Sequence, residues 1–368
     1  MRLEAAPKVC ATAADDTAER CMASHPHDPI LRLPKADLHL HLDGSLRADT
    51  VLQIAASEGL DLASRDEASL RTILSPPLDP PSLERYLKAF DVTCAVMQTR
   101  HAIRRIAREL VEDCAAENIT YLEARFCPSL LTLGGLSVAE VIEAVAEGLE
   151  EGERATGTMA RQIICALRHR DLREGVELAE AAVALRSRGV VAFDLAGPEA
   201  GFAAAWHEEA FRVARRGGLW TTVHAGEADG PDSIYEALHT LGADRIGHGT
   251  TLVNDPALMA WMIDRKLPIE VCPTSNVQTG AAPSLERHPV RSLLERGATV
   301  VVCTDNRLVS DVTLSHELRA VASAAQLGLD EIGLLLRRGF SSAFVSLEER
   351  RRLLADFDAA FASLRADS

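Results

Sequence analysis

An α/β fold, a (β/α)8 TIM barrel with a helical excursion after its first strand and helices at its C-terminal end, is what this sequence predicts. Three observations carry that prediction. Eight short runs, β-branched or continuously apolar, recur along the 368 residues, as strands buried on both faces do. Between them lie longer segments with apolar residues at helical spacing, several stopping at a glycine. The residues able to bind a metal or move a proton gather at the ends of the strand runs, where barrels of this kind keep their working groups.

Residues 1–29 are rich in Ala, Asp, Thr and His without periodicity and read as a flexible N-terminal extension. The barrel domain is expected over 30–368. Its first strand is ADLHLHL at 36–42. A long connection follows, from about 47 to 119, with helical patterns over 83–97 and 102–117. Its PPLDPP run at 76–81 suits neither a helix interior nor a central strand. An excursion of that length is either a lid over the barrel mouth or an insertion without function, with equal weight on sequence grounds. The second and third strands are TYLEARF at 120–126 and RQIICAL at 161–167, separated by a helix over 138–155. A helix over 172–189 leads to VVAFDLA at 190–196, and another over 203–218 to WTTVHAG at 220–226. RIGHG at 245–249, PIEVCPT at 268–274 and TVVVCTD at 299–305 complete the eight, with helices over 234–242, 257–266 and 288–297 between them. From 311 to 365 the pattern is amphipathic helix closing the barrel.

Composition excludes several functions. The formal net charge of −15 argues against nucleic acid or an anionic membrane as partner. No apolar run is long enough to span a bilayer and the N-terminus lacks a signal-peptide core, so the expected location is the cytoplasm. The eight cysteines are scattered with no C-x-x-C pair, which fits neither a disulfide framework nor a thiolate zinc site. Several sit in apolar runs and read as small core residues. Oligomeric state is not legible.

His39 and His41 alternate at the end of the first strand, so their side chains share a face and can grip one divalent ion. Alone, H-x-H fits two half-buried strand histidines better. The other strand ends shift the balance. The fourth ends in Asp194 and Gly197, the fifth in His224 and Glu227, the sixth in His248, and the eighth in Asp305 and Asn306. In a barrel these positions converge on one axis. His39, His41, His224 and Asp305 make an N3O set suited to one Zn2+ per chain, with an open position for an acidified water. His248 is placed to orient that water. Glu227, three residues beyond a ligand, enters the same pocket, where burial would raise its pKa and fit it to protonate a substrate nitrogen.

On these residues the chain resembles the adenosine deaminase family of the amidohydrolase superfamily. LPKADLHLHLDGSL (33–46), DLAG (194–197), VHAGE (223–227), RIGHG, CPTSN (272–276) and CTDN (303–306) are similar to that family's strand-end motifs. SLERYLKAF (82–90) is similar to the segment near its active-site cover. The resemblance implies zinc on His39, His41, His224 and Asp305, with Glu227 protonating purine N1 and His248 assisting the attacking hydroxide. It further implies a contact from the Gly197 N–H to purine N3, from Asp43 to the ribose, and from position 306 to N7. The small-molecule partner would be a purine nucleoside, and the reaction adenosine or 2′-deoxyadenosine to inosine or deoxyinosine plus ammonia, in purine salvage.

Two departures stand out. Asn306 occupies a position where many members carry Asp; its amide can still donate to N7. Pro198 follows Gly197 where an acid is more usual, and leaves the Gly197 N–H intact. Rival readings are a deaminase of adenine, a nucleotide or aminodeoxyfutalosine, and a barrel without catalysis. A binuclear site on a carboxylated lysine is disfavoured because no lysine lies between Lys88 and Lys266. A cytidine-deaminase type site is excluded for want of C-x-x-C; His207-Glu208-Glu209 reads as a solvated helix face.

Overall fold

The computed structural model describes residues 28–367 apart from 63, 65 and 76–79. Residues 1–27, nearly all of the expected extension, and the first four residues of the PPLDPP run lie outside the described residues.

Eight parallel strands follow in sequence order around one sheet. They are β1 Lys35–His41, β2 Ile119–Phe126, β3 Met159–Leu167, β4 Val190–Ala196, β5 Trp220–Ala225, β6 Arg245–His248, β7 Pro268–Val271 and β8 Thr299–Val302. All eight fall on the expected runs. The barrel closes through a single parallel bridge between Leu40 and Asp305. Its hydrogen bonds run from His41 N to Asp305 O (2.7 Å) and from Asp305 N to His39 O (2.8 Å). Closure therefore falls on three residues that the sequence marks as metal ligands.

Along β1 the pleat sends Leu38 and Leu40 into the apolar layer beneath the helices, while Asp37, His39 and His41 face the barrel interior. That interior is not apolar. Arg125 on β2 pairs with Asp194 on β4 (3.0 Å) and Glu270 on β7 (2.9 Å), all fully buried. Arg245 on β6 pairs with Glu270 (2.6 Å) and with Glu123 on β2. Removing one partner from such a network typically costs about 3–5 kcal/mol, because the other charge is left buried alone.

The helices obey local rules. Helix Val138–Thr156 opens on a capping box of Ser137 and Glu140 and stops at Gly157 in the left-handed region. The expected helix over 172–189 ends at Ala184, with a short 3-10 turn at Arg186–Arg188. His207, expected on a solvated face, is buried instead, its Nε2 3.2 Å from Arg168 O. The C-terminal helices are Leu314–Ala324, Leu329–Ser342 and Leu347–Asp367. No described helix is long and apolar enough to cross a membrane.

The described residues of the connection from β1 to β2 form five helices. The single helix expected over 83–97 is two, Leu83–Tyr86 and Ala89–Ala95. At the break, the Tyr86 hydroxyl bonds Ser310 Oγ (2.6 Å) and accepts from Asn306 Nδ2 (2.9 Å), tying this segment to the loop after β8. Leu83, Tyr86, Leu87 and Phe90 thereby face the barrel mouth. This part of the excursion is a wall of the cleft, not an idle insertion.

Candidate active site

A cleft of about 460 Å3 opens at the C-terminal ends of the strands. Every residue singled out from the sequence for the site lines it except two: His39, packed against the His224 ring, and Asp194, buried behind His224.

His39, His41, His224 and Asp305 offer ligand atoms that all lie within 4.8 Å of one another. His39 Nε2 and His41 Nε2 are each 3.4 Å from Asp305 Oδ1, and His41 Nε2 is 3.1 Å from His224 Nε2. Tautomers decide what this means. His39 Nδ1 lies 2.8 Å from Glu270 Oε2, and His224 Nδ1 3.1 Å from Asp194 Oδ2. A carboxylate only accepts, so each ring keeps its proton on Nδ1 and turns a bare Nε2 inward. Burial opposes the charge of those two carboxyls, but the hydrogen bonds from His224 and His39, with Arg125 beside both and Arg245 beside Glu270, outweigh it and hold both below the ordinary range. Burial lowers the His39 pKa and pulls His224 down to about 3, so both rings are neutral.

Of these two bare imidazole nitrogens, His224 Nε2 meets only the ring of His41, at 3.1 Å. His39 Nε2 is fully buried and has no hydrogen-bond partner among the described residues. One proton shared by His41 and His224 would still leave it bare. A divalent cation among the four atoms resolves the arrangement, and the N3O donor set suits zinc chemistry. Lys35 is not at this site; it sits at the opposite end of β1, its Nζ donating to Ile30 O and Leu33 O.

Glu227 and His248, the groups expected to handle protons, stand beside this cluster. Glu227 is buried, its Oε2 3.6 Å from His248 Nε2. Burial raises the Glu227 pKa, against the opposing pull of His248. The turn that carries Glu227 is held by Glu199, a residue whose part the sequence did not disclose. Glu199 Oε1 accepts from Gly226 N (2.6 Å) and Ser233 Oγ (2.5 Å). Its Oε2 accepts from the backbone N–H groups of Glu227, Ala228 and Asp229 (2.8, 2.6 and 3.0 Å). His248 and Asp305 both have φ of +62°, a backbone costing on the order of 1–3 kcal/mol for non-glycine residues, as is common where geometry is held for function.

Asp43 is buried, its Oδ1 3.7 Å from His41 Nδ1 and without a hydrogen bond among the described residues. Gly197, at φ +88°, lines the cleft. Asn306 lies so close to Gly44 that a Cβ there would sit 1.8 Å from its Oδ1. Cys127 and Cys165, expected simply as core, also line the cleft. Glu270 and Arg125 were missed as well. The available signal was a charged residue inside an otherwise apolar strand run.

The family model described as adenosine deaminase matches residues 34–360. An adenosine deaminase of Mycolicibacterium vanbaalenii is 41% identical over 344 residues, covering 89% of this chain and 94% of that one. A probable adenosine deaminase of Dictyostelium discoideum is 39% identical over 318 residues, 86% of this chain, which spans only 41% of that longer protein. Among solved structures, an adenine deaminase from Arthrobacter aurescens superposes with a TM-score of 0.83 at 25% identity, over 89% of this chain and 98% of that one. An amidohydrolase from Burkhoderia ambifaria with bound zinc gives 0.84 at 26% identity, over 92% and 93%. The N6-methyl-AMP deaminase from Arabidopsis thaliana gives 0.78 at 28% identity, over 90% and 98%.

Proposed function

The chain belongs to the adenosine deaminase family, and from that membership we propose that it is a zinc enzyme converting adenosine and 2′-deoxyadenosine to inosine and deoxyinosine plus ammonia. Hydrolytic deamination of an adenosine-like purine is the family's activity. The observation that carries the finer reading is the convergence of bare imidazole nitrogens beside a buried carboxyl in one cleft.

His39, His41, His224 and Asp305 would hold one ion, which when bound supplies a water acidified towards neutral pH. The chain's own residues do the rest. Glu227, whose burial favours the protonated form, gives its proton to purine N1. That draws electrons from C6, so that a C–O bond can form there and the C–N bond to the amino group can then break. His248 hydrogen-bonds the attacking water. The Gly197 N–H meets N3, the Asn306 amide donates to N7, and Asp43 accepts from a ribose hydroxyl. Leu83, Leu87 and Phe90 keep bulk water from the reacting face.

The relatives of known structure act on a free base and on a nucleotide, so the sugar is the question. Among the described residues the cleft lining holds the carboxyl groups of Asp43, Glu84, Asp91, Glu227 and Asp305 and one lysine, Lys88. That balance repels a 5′-phosphate and supports a neutral nucleoside. Asp43 Oδ1 faces His41 Nδ1 at 3.7 Å and has no closer hydrogen-bond donor among the described residues, so it is free to accept from a ribose hydroxyl, which supports the nucleoside over free adenine.

The test follows ultraviolet absorbance during deamination of adenosine, 2′-deoxyadenosine, adenine and N6-methyl-AMP by zinc-loaded protein. Turnover of the two nucleosides well above the others is expected; turnover of adenine or the nucleotide alone would overturn the substrate reading. Glu227→Gln should retain zinc and lose kcat by about 10^2-fold or more. Full activity in that variant would remove Glu227 as the proton donor.

A further inference from the structure

The ring of His248 is held by a line of directional hydrogen bonds that starts outside the cleft. The Val290 backbone N–H donates to His288 Nδ1 at 3.0 Å. A main-chain amide nitrogen only donates, so His288 Nδ1 is bare and the ring proton is on Nε2. His288 Nε2 lies 3.1 Å from Asn276 Oδ1, which accepts that proton. The carboxamide is then oriented without choice. Its Nδ2 faces His248 Nδ1 at 2.9 Å, and an amide nitrogen donates but does not accept. His248 Nδ1 is therefore bare, and the ring carries its proton on Nε2.

Asn276, His288 and His248 are all buried, so water does not offer a substitute partner. Burial pulls the His288 pKa down to about 4, which keeps that ring neutral and able to accept from Val290. The far end of the line points inward: His248 Nε2 is 3.6 Å from Glu227 Oε2, and the ring centroid is 4.9 Å from that of His39.

We propose that Val290, His288 and Asn276 form a relay that fixes the tautomer of His248, making it an Nε2–H hydrogen-bond donor to the reacting water. The proposal rests on the deaminase reading above for the identity of that water, and on hydrogen-bond direction alone for the tautomer. Asn276 and His288 are positioning residues: neither reaches the cleft. His248 is a donor and not a base, because Nε2 already holds its proton and Nδ1 faces an N–H. The groups left to accept a proton are the carboxylates, Asp305 and Glu227 once it has protonated N1. Reversing the tautomer would mean turning the Asn276 amide and the His288 ring together, and the backbone donor at Val290 cannot turn.

The test is two-bond 1H–15N correlation NMR on full-length, zinc-loaded protein carrying 15N-histidine, with His248 and His288 assigned from the signals lost in His248→Gln and His288→Gln. The expected pattern is a bare Nδ1 and a protonated Nε2 on both rings. Asn276→Asp replaces the amide donor with an acceptor and should move a proton onto His248 Nδ1. In that variant kcat should fall by about 10^2-fold while zinc content and KM hold, as when one aligned donor is lost. His288→Gln retains one donor and one acceptor in the relay and should keep the wild-type His248 pattern, whereas His288→Phe should lose it. A wild-type His248 protonated on Nδ1 overturns the proposal, as does an unchanged His248 pattern in Asn276→Asp. The wild-type spectrum decides alone if that variant does not fold. It is also independent of substrate: the expected tautomer in a protein inert to adenosine would support the relay while refuting the nucleoside reading.

Discussion

Replacing Glu199 by Gln measures how firmly one buried carboxylate holds the turn that presents Glu227. The carboxylate accepts five hydrogen bonds, four of them from consecutive backbone N–H groups at 226–229 and one from Ser233. Gln keeps the shape and one oxygen. If that oxygen stays with the three amides now on Oε2, the new NH2 group faces the Gly226 N–H and the Ser233 hydroxyl. Ser233 can rotate and accept; Gly226 cannot. An unpaired buried N–H costs about 1–3 kcal/mol, and each bond that loses its charge assistance gives up a further fraction of about 1 kcal/mol. The expected loss of stability is roughly 3–5 kcal/mol. The turn has little freedom to evade this. Gly226 sits at φ +71°, packed so that a Cβ would meet Ile234 at 2.5 Å and Thr251 at 2.7 Å. A shift of Glu227 of about 1 Å is enough to lower kcat by about 10^2-fold. The assays are a urea denaturation curve, steady-state kinetics on adenosine, and zinc content, which should be unchanged because the ligands stay in place. A Glu199→Gln protein with its midpoint and kcat both intact would refute the claim that Glu199 organises this turn.

Three further outcomes are expected. Glu270→Gln should weaken zinc binding by about 10–100-fold in a chelator competition, since His39 loses the carboxylate that directs its Nε2; undiminished affinity would mean that the Nδ1 partner does not matter. Asp305→Ala should lose both metal and turnover, and normal zinc retention would strike Asp305 from the ligands. Glu317 is buried, with its pKa raised from 4.5 to about 7 by desolvation, against hydrogen bonds from Thr274. Between those pH values the folded chain binds more protons than the unfolded one, so stability is lost as pH rises through that window and the full penalty is present above it. Glu317→Gln should accordingly be more stable than wild type by about 3 kcal/mol at pH 8 and no different at pH 4, by denaturant midpoints at each pH. A difference that does not vary with pH would show that the carboxyl does not titrate in this way.

Much of the site was legible because it is written in local pattern. The period-2 alternation of β1 puts His39 and His41 on one face, and the place of His224, Glu227, His248 and Asp305 at strand ends follows from the alternation of strand and helix. The docking of the 83–97 segment was not legible, because the Tyr86 hydroxyl meets Ser310 and Asn306, residues more than 200 positions later. Nor was the burial of His207: its sequence neighbours Glu208 and Glu209 are exposed, and only packing against Arg168 turns the ring inward.

The sequence by itself determined the barrel, the order of its strands and the set of groups that meet at its mouth, since each depends on residues close together in the chain. The tertiary structure decided what those groups can do. The proton on His39 is set by Glu270, 231 residues away, that on His224 by Asp194, and that on His248 by Asn276 and His288. A hydrogen bond has direction, and its direction is fixed by the partner. Those partners are brought together only when eight strands close around one axis, so the chemical state of the site is a property of the closed barrel and not of any single motif.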